Sequence, residues 1–174
     1  MNGLREPTPG AGRPASRRLP GSVRSGLRPV KNLPRLVRAF APLPDQWQLV
    51  ILGEGPERDR IRAEAARLGI GHRVHLPGHV VHPAEVMGLF DLFALSSDSE
   101  QFPISVIEAM ASGLAIAAPR VGDLDAMVSA ENRQFLAPAG DEAALSRALA
   151  DLAADPERRA AVGAANRARA RSEE

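Results

Sequence analysis

The chain contains no cysteine. That excludes disulfide cross-links and thiolate nucleophiles, and it fits a reducing compartment. No apolar run approaches the roughly 18 residues that a membrane span requires. The first residues lack the apolar middle of a secretory signal, so the expected location is cytoplasmic. An excess of one charge is also missing. The 22 Lys and Arg against 21 Asp and Glu leave a formal net charge of +1. Nothing global draws such a chain to nucleic acid or to a membrane surface.

What is present is an ordinary globular composition, 44% hydrophobic and 25% charged over 174 residues. That length suits one domain with a core of its own. No internal repeat is evident. Residues 1–20, "MNGLREPTPGAGRPASRRLP", are rich in Pro, Gly and Arg and have few apolar side chains. Such a segment does not repay its ordering entropy, so it is expected to be disordered. A basic arm for nucleic acid is the sharper reading, but it lacks aromatics and a paired domain signal. The expected organisation is a disordered segment over 1–20, a domain over 21–170 and a tail over 171–174.

From residue 21 on, short apolar runs alternate with helical stretches. Strands are expected at "SVRSG", "QLVILG", "RVHLPG", "DLFALS", "LAIAAP" and "RQFLAP". Between them lie the helical "NLPRLVRAFA", "PERDRIRAEAARLG", "AEVMGLF", "ISVIEAMAS" and "DLDAMV". Two final helices break at Asp155-Pro156. The helix at 56–69 has Pro in its first turn and Gly past its end, the usual asymmetry. Strands alternating with helices over short loops predict βαβ units on a parallel sheet. The fold class is therefore α/β, a Rossmann-like parallel sheet with flanking helices.

Ligands of open α/β sheets bind outside the carboxyl ends of the strands. That rule selects the loops at 26–31, 53–56, 78–82, 96–102 and 119–123. In the first, Arg28 and Lys31 are either phosphate ligands or solvated surface cations. In the second, Gly53 and Gly55 follow a strand and permit a tight turn or close approach to a ligand. They could open a dinucleotide fingerprint, but its third glycine would fall on Arg58. All four histidines lie between His72 and His82. Without well-spaced carboxylates they argue against a metal site, and none is expected. His79, just after Gly78, is either a nucleobase contact or a plain surface histidine.

The stretch "SEQFPISVIEAMAS" carries two carboxylates, Glu100 and Glu108. Phe102, Pro103, Ile104 and Ser105 are expected to form the first turn of a helix, whose free N–H groups and dipole attract an anion. Pro103 suits that turn because its missing N–H is an orphan position. Glu108 lies one turn past Ile104 and could accept hydrogen bonds from sugar hydroxyls beside a bound phosphate. It is equally readable as an exposed residue of an amphipathic helix. Glu100, in the preceding loop, could reach the other side of such a ligand.

These segments together resemble the donor-binding C-terminal domain of retaining glycosyltransferases of family 4, which have the GT-B fold. "GLRPVKNLPRLVRAF", "LVILGEGPERDRI", "VHLPGHV", "SSDSEQFPISVIEAMASGLAIAAPRVGD" and "DEAALSRALADLAADPERRAAVGAANR" carry the resemblance in order, from about Ser22 to Ala170. It implies transfer of a sugar from a nucleotide-diphosphate sugar to an acceptor with retention of configuration, without a cofactor. The motif's first glutamate, near the donor sugar, falls on Glu100, and the second, at the ribose, on Glu108. Backbone amides around Phe102 to Ser105 fall beside sugar and diphosphate. The phosphate lysine matches Lys31, and the glycine-rich turn matches Gly53 and Gly55.

There are departures. An arginine common in the family, five residues before the lysine, is replaced by Gly26, for which Arg28 could substitute. The usual glycine after the first glutamate is Gln101. A second glycine and a later glutamate that commonly follow "VG" are Asp123 and Ala126. The resemblance covers only the second half of such an enzyme, so an acceptor domain is expected as a separate domain or partner chain. Two other readings remain: a non-catalytic nucleotide-sugar-binding or interaction module, and a nucleotide-sugar epimerase of the same fold. The family 4 pattern argues against the epimerase.

Overall fold

The computed structural model describes residues 2–5 and 27–172. Six strands form one sheet: β1 (Asn2–Arg5), β2 (Gln48–Leu52), β3 (Val74–Gly78), β4 (Leu92–Ala94), β5 (Ala115–Pro119) and β6 (Leu136–Ala137). Their spatial order is β3-β2-β1-β4-β5-β6. Between them run α1 (Leu33–Phe40), α2 (Arg58–Arg67), α3 (Pro83–Met87), α4 (Ile104–Ala111) and α5 (Leu124–Met127). The chain closes with α6 (Glu142–Ala154) and α7 (Pro156–Ser172). The alternation expected from the sequence is therefore present, and three expectations need correction.

The sheet is not wholly parallel. β2 with β3, β4 with β5, and β5 with β6 are parallel, whereas β1 runs antiparallel to both β2 and β4. Nor is the whole of segment 1–20 without structure, because residues 2–5 form that central strand. Leu4 is fully buried and pairs with Leu49 and Leu92. Gly3 takes the other face, where the Phe90 ring closes over it; a Cβ there would lie 2.1 Å from the ring. Hydrogen bonding on both sides holds a strand that its own composition does not announce. The strand expected at "SVRSG" and the rest of the N-terminal segment lie outside the described residues.

Alternating strand residues feed two cores, one on each face. Leu49, Ile51, Leu92, Ala94, Ala115 and Ala117 pack under α1, α2 and α6. Val50, Leu52, Phe93, Leu95, Ile116 and Ala118 pack under α4 and its neighbours. In α1, Leu33, Leu36, Val37 and Phe40 fall at helical spacing and are all buried. The expected strand "RQFLAP" is mostly a one-turn 3-10 helix over Arg133–Phe135, followed by the two residues of β6.

α7 is fastened by buried amides. Asn166 donates to the Leu114 carbonyl (2.9 Å) and to Asn132 Oδ1 (2.8 Å), and accepts from the Ser129 N–H (3.1 Å). Asn132 in turn donates to the Ile116 carbonyl and accepts from its N–H. Among the described residues no helix is long and apolar enough to cross a membrane.

Candidate donor-binding site

All five loops selected from the sequence leave the carboxyl ends of parallel strands or flank them, so they share one edge of the sheet. The loop before α1 is built first. Leu27 N–H donates to the Glu54 carbonyl (2.9 Å), and Glu57 N–H donates back to the Leu27 carbonyl (3.2 Å). Gly55 permits this approach, since a Cβ there would lie 2.6 Å from Leu27 N and 2.7 Å from Leu27 O. Gly53, at φ 122°, donates its N–H to the Gly78 carbonyl at 2.9 Å, which joins the loops after β2 and β3. The glycine turn is thus a structural junction that sets the position of residues 27–31.

A one-turn 3-10 helix over Pro29–Lys31 then leads to Asn32, whose backbone is left-handed at φ 42°. Asparagine tolerates that region better than most residues. Its side chain holds Asp98 (3.1 Å), which also pairs with Arg35 at 2.7 Å. Asp98 N–H donates to the Val30 carbonyl, and the Ser96 hydroxyl donates to the Lys31 carbonyl. Residues 30–32 and 96–98 are therefore bound side by side.

That junction brings together the two side chains with the strongest claim to chemistry. Lys31 Nζ lies 2.5 Å from Glu100 Oε1, and the Ser97 hydroxyl donates to the same oxygen at 2.6 Å. Lys31, Ser96, Ser97 and Ser105 line one pocket with Asn2 and Leu27. The turn at Gly122, φ 55°, packs against the loop from below; a Cβ there would lie 2.1 Å from the Glu100 carbonyl oxygen. Gln101 stands where the family commonly has glycine, and it is not among the positive-φ residues. This loop path does not demand a glycine at that position.

α4 begins at Ile104, with Pro103 as its extended N-cap at ψ 99°. This corrects the expectation of a first turn over 102–105: Pro103 precedes the helix. Its ring constrains φ but not ψ, and an extended ψ places it outside. Val106 N–H donates to the Pro103 carbonyl. The N–H groups of Ile104 and Ser105 make no hydrogen bond among the described residues. The Phe102 side chain, 59% exposed, turns toward a separate apolar groove with Ile107, Met110 and Met127.

Glu108 is half-buried on α4, and its carboxylate makes no hydrogen bond with a described residue. Desolvation by burial raises its pKa above the ordinary carboxylate value. Arg28 and His79 are exposed and unpaired among the described residues. The structure brings Lys31 and Ser105 to one pocket, pairs Lys31 with Glu100, and joins Gly53 and Gly55 to neighbouring loops. Among the described residues no side-chain hydrogen bond or ion pair joins Arg28, His79 or Glu108 to the Lys31–Glu100 pair; Arg28 meets Lys31 only through its carbonyl, which accepts from the Lys31 N–H. Gly26 lies outside the described residues. Sequence reasoning missed Ser96, Ser97, Asp98 and Gly122; a run of hydroxyl and carboxylate residues at a strand end was their signal. Among the described residues no three His, Asp or Glu come together to hold a metal ion.

Comparison with known proteins identifies the family and the fold. Residues 23–169 match the family model of glycosyl transferases group 1. The 2-deoxystreptamine N-acetyl-D-glucosaminyltransferase of Streptomyces fradiae is 33% identical over 132 residues, covering 70% of this chain and 31% of that protein. HepE of Anabaena, solved in complex with UDP, superposes with a TM-score of 0.79 at 26% identity, over 85% of this chain and 42% of that one. The C-terminal domain of the group 1 glycosyl transferase LpcC from Francisella tularensis shares the fold, with a TM-score of 0.77 at 18% identity, over 92% of this chain and 94% of that domain. The chain spans about a third of the length of the curated relatives it matches. Because the family match takes in β2 to β6 and every loop of the site just described, the chain belongs to the glycosyl transferase group 1 family.

Proposed function

We propose that this chain is the donor-binding domain of a retaining glycosyltransferase of family 4. The observation that carries the reading is the meeting of Lys31 and Glu100 beside the open N-terminus of α4. A nucleotide-diphosphate sugar presents three kinds of group, and the site offers a partner for each. Lys31 and the unbonded N–H groups of Ile104 and Ser105 suit the diphosphate. Arg28 stands on the same loop as a second cation. Glu100 faces the donor sugar, and Glu108 accepts the ribose hydroxyls. Gly53 and Gly55 hold the loop frame, while His79 and the backbone at Phe102 and Pro103 complete the rim. Transfer breaks the bond between the anomeric carbon and the diphosphate oxygen and forms one to an acceptor oxygen. Charge grows on the departing diphosphate, where preorganised donors and a fixed cation lower the barrier most. No protein-bound metal enters this scheme, and the cysteine-free sequence suits a cytoplasmic setting.

The same edge supports a narrower second reading. Val81 and Phe102 on its loops and Ile104 at the start of α4 are 59–69% exposed. Exposed large apolar side chains suit a facing acceptor domain or partner chain. The chain would then be a nucleotide-sugar-binding module that acts only with that partner.

Calorimetry in chelator tests the shared claim. A nucleoside diphosphate should bind more tightly than the matching monophosphate. Equal affinity, or a strict need for metal, would overturn the diphosphate site.

A further inference from the structure

Asn2 lies at the start of the N-terminal strand, yet it reaches the site. In a parallel strand the first residue lies at the far edge of the sheet. β1 is antiparallel, so its first residue arrives where β2 and β4 end. Asn2 pairs with Ile51 and with Ala94, the last residue of β4. Its side chain is 2% exposed and lines the pocket shared by Lys31, Ser96, Ser97 and Ser105.

The Asn2 side chain is also incompletely bonded. Its Oδ1 is the one buried side-chain polar atom without a hydrogen-bond partner among the described residues. A buried acceptor left unpaired is costly, and native proteins rarely leave one so without a reason. The neighbouring donors are committed elsewhere. Ser97 gives its proton to Glu100, Ser96 to the Lys31 carbonyl, and Lys31 is paired with Glu100. The Ser105 hydroxyl makes no hydrogen bond among the described residues. A ligand group that donates to Asn2 and accepts from Ser105 would complete the pocket. Phosphate oxygens only accept, so they do not fit the Asn2 carbonyl; a hydroxyl does both.

We propose that Asn2 is a binding residue that accepts a hydrogen bond from a hydroxyl of the bound nucleotide sugar. This rests on the proposed function, and it extends the site to a strand that the family match does not include.

Binding to the full chain can be measured with UDP and UDP-glucose, and with GDP and GDP-mannose. If neither pair binds the unaltered chain, the proposed function falls and this inference with it. Where one pair binds, Asn2→Ala should weaken it about five- to ten-fold, the size of one such hydrogen bond. Loss confined to the sugar nucleotide assigns the transferred sugar's hydroxyl, and equal loss for both assigns the ribose. Unchanged affinity for both overturns the inference alone. A second readout needs no variant. The side-chain amide of Asn2, one of four asparagines, should shift in the NMR spectrum of labelled protein at saturation. An Asn2 signal that stays put while the Lys31 and Ser105 backbone signals move gives the contrary answer.

Discussion

The ammonium of Lys31 meets the carboxylate of Glu100 at 2.5 Å, across 69 residues of sequence. Both side chains are mostly buried, at 21% and 12% exposure. Their charges are therefore balanced before any ligand arrives. Under the proposed function a diphosphate would have to compete with Glu100 for the lysine, and Glu100 would then be free to face the sugar.

That competition ranks two variants in opposite order. Lys31→Ala should weaken nucleoside diphosphate binding by about 1.5–3 kcal/mol, the range for a hydrogen bond to a charged group. Glu100→Gln should leave that binding unchanged or tighten it, because the lysine is released. Titration calorimetry on both variants measures the ranking. If Glu100→Gln weakened diphosphate binding as much as Lys31→Ala, the pair would not work as described.

Glu108→Gln separates binding from folding. Loss of the carboxylate should weaken nucleotide binding by about 1–3 kcal/mol. Stability should move the other way. Burial raises the folded-state pKa above the ordinary 4.5. Between those values the folded protein holds a proton that the unfolded chain has lost, so stability falls as pH rises through that window. Glutamine carries no such charge. Below the ordinary carboxylate pKa the variant should match the unaltered chain, and above the raised value it should be the more stable. Urea midpoints from about pH 4 to pH 7 test this. A variant less stable at neutral pH would point to a partner for the carboxylate.

Gly55→Ala should damage the lysine loop from a distance. The added methyl would meet backbone atoms of Leu27 at 2.6–2.9 Å. Backbone yields less readily than a side chain, so the cost should be about 1–3 kcal/mol of stability. The displaced loop should also carry Lys31 away from Glu100 and weaken diphosphate binding. Denaturation midpoints and calorimetry on one preparation measure both. Full stability with full binding would show that the junction with Leu27 is dispensable.

The chain alone should show negligible sugar transfer and at most slow donor hydrolysis. Holding donor and acceptor in one geometry can supply about 7–11 kcal/mol of a barrier. The described residues offer one open edge to water, which screens the electrostatic contribution. Activity that depends on Glu100 should return when an acceptor domain is supplied, fused or as a separate chain. Product formation from a panel of nucleotide sugars is the measurement. Robust transfer by the purified chain as a monomer would overturn the need for a second domain.

Much of the frame was legible from local pattern. The runs "LVIL" and "LAIAA" read as buried strands and are β2 and β5. The break at Asp155-Pro156 does separate α6 from α7. The first turn expected over 102–105 began two positions early, since Pro103's φ of −76° suits both a cap and a first turn and only ψ distinguishes them. β1 was not legible at all. Four residues with one large apolar side chain have no period to read, and their stability comes from pairing on both sides.

The sequence by itself determined the alternation of strands and helices, the loops that carry Lys31 and Glu100, and the glycines that turn them. Those are local properties, set by side-chain periodicity and by the φ each residue tolerates. Tertiary structure alone decided that Lys31 touches Glu100, that Gly55 seats Leu27, and that Asn2 arrives at the same pocket. Each of these joins residues far apart in the chain, and their distance depends on strand order and direction. A reversal of one central strand leaves local propensity unchanged and exchanges which end of it meets the ligand edge.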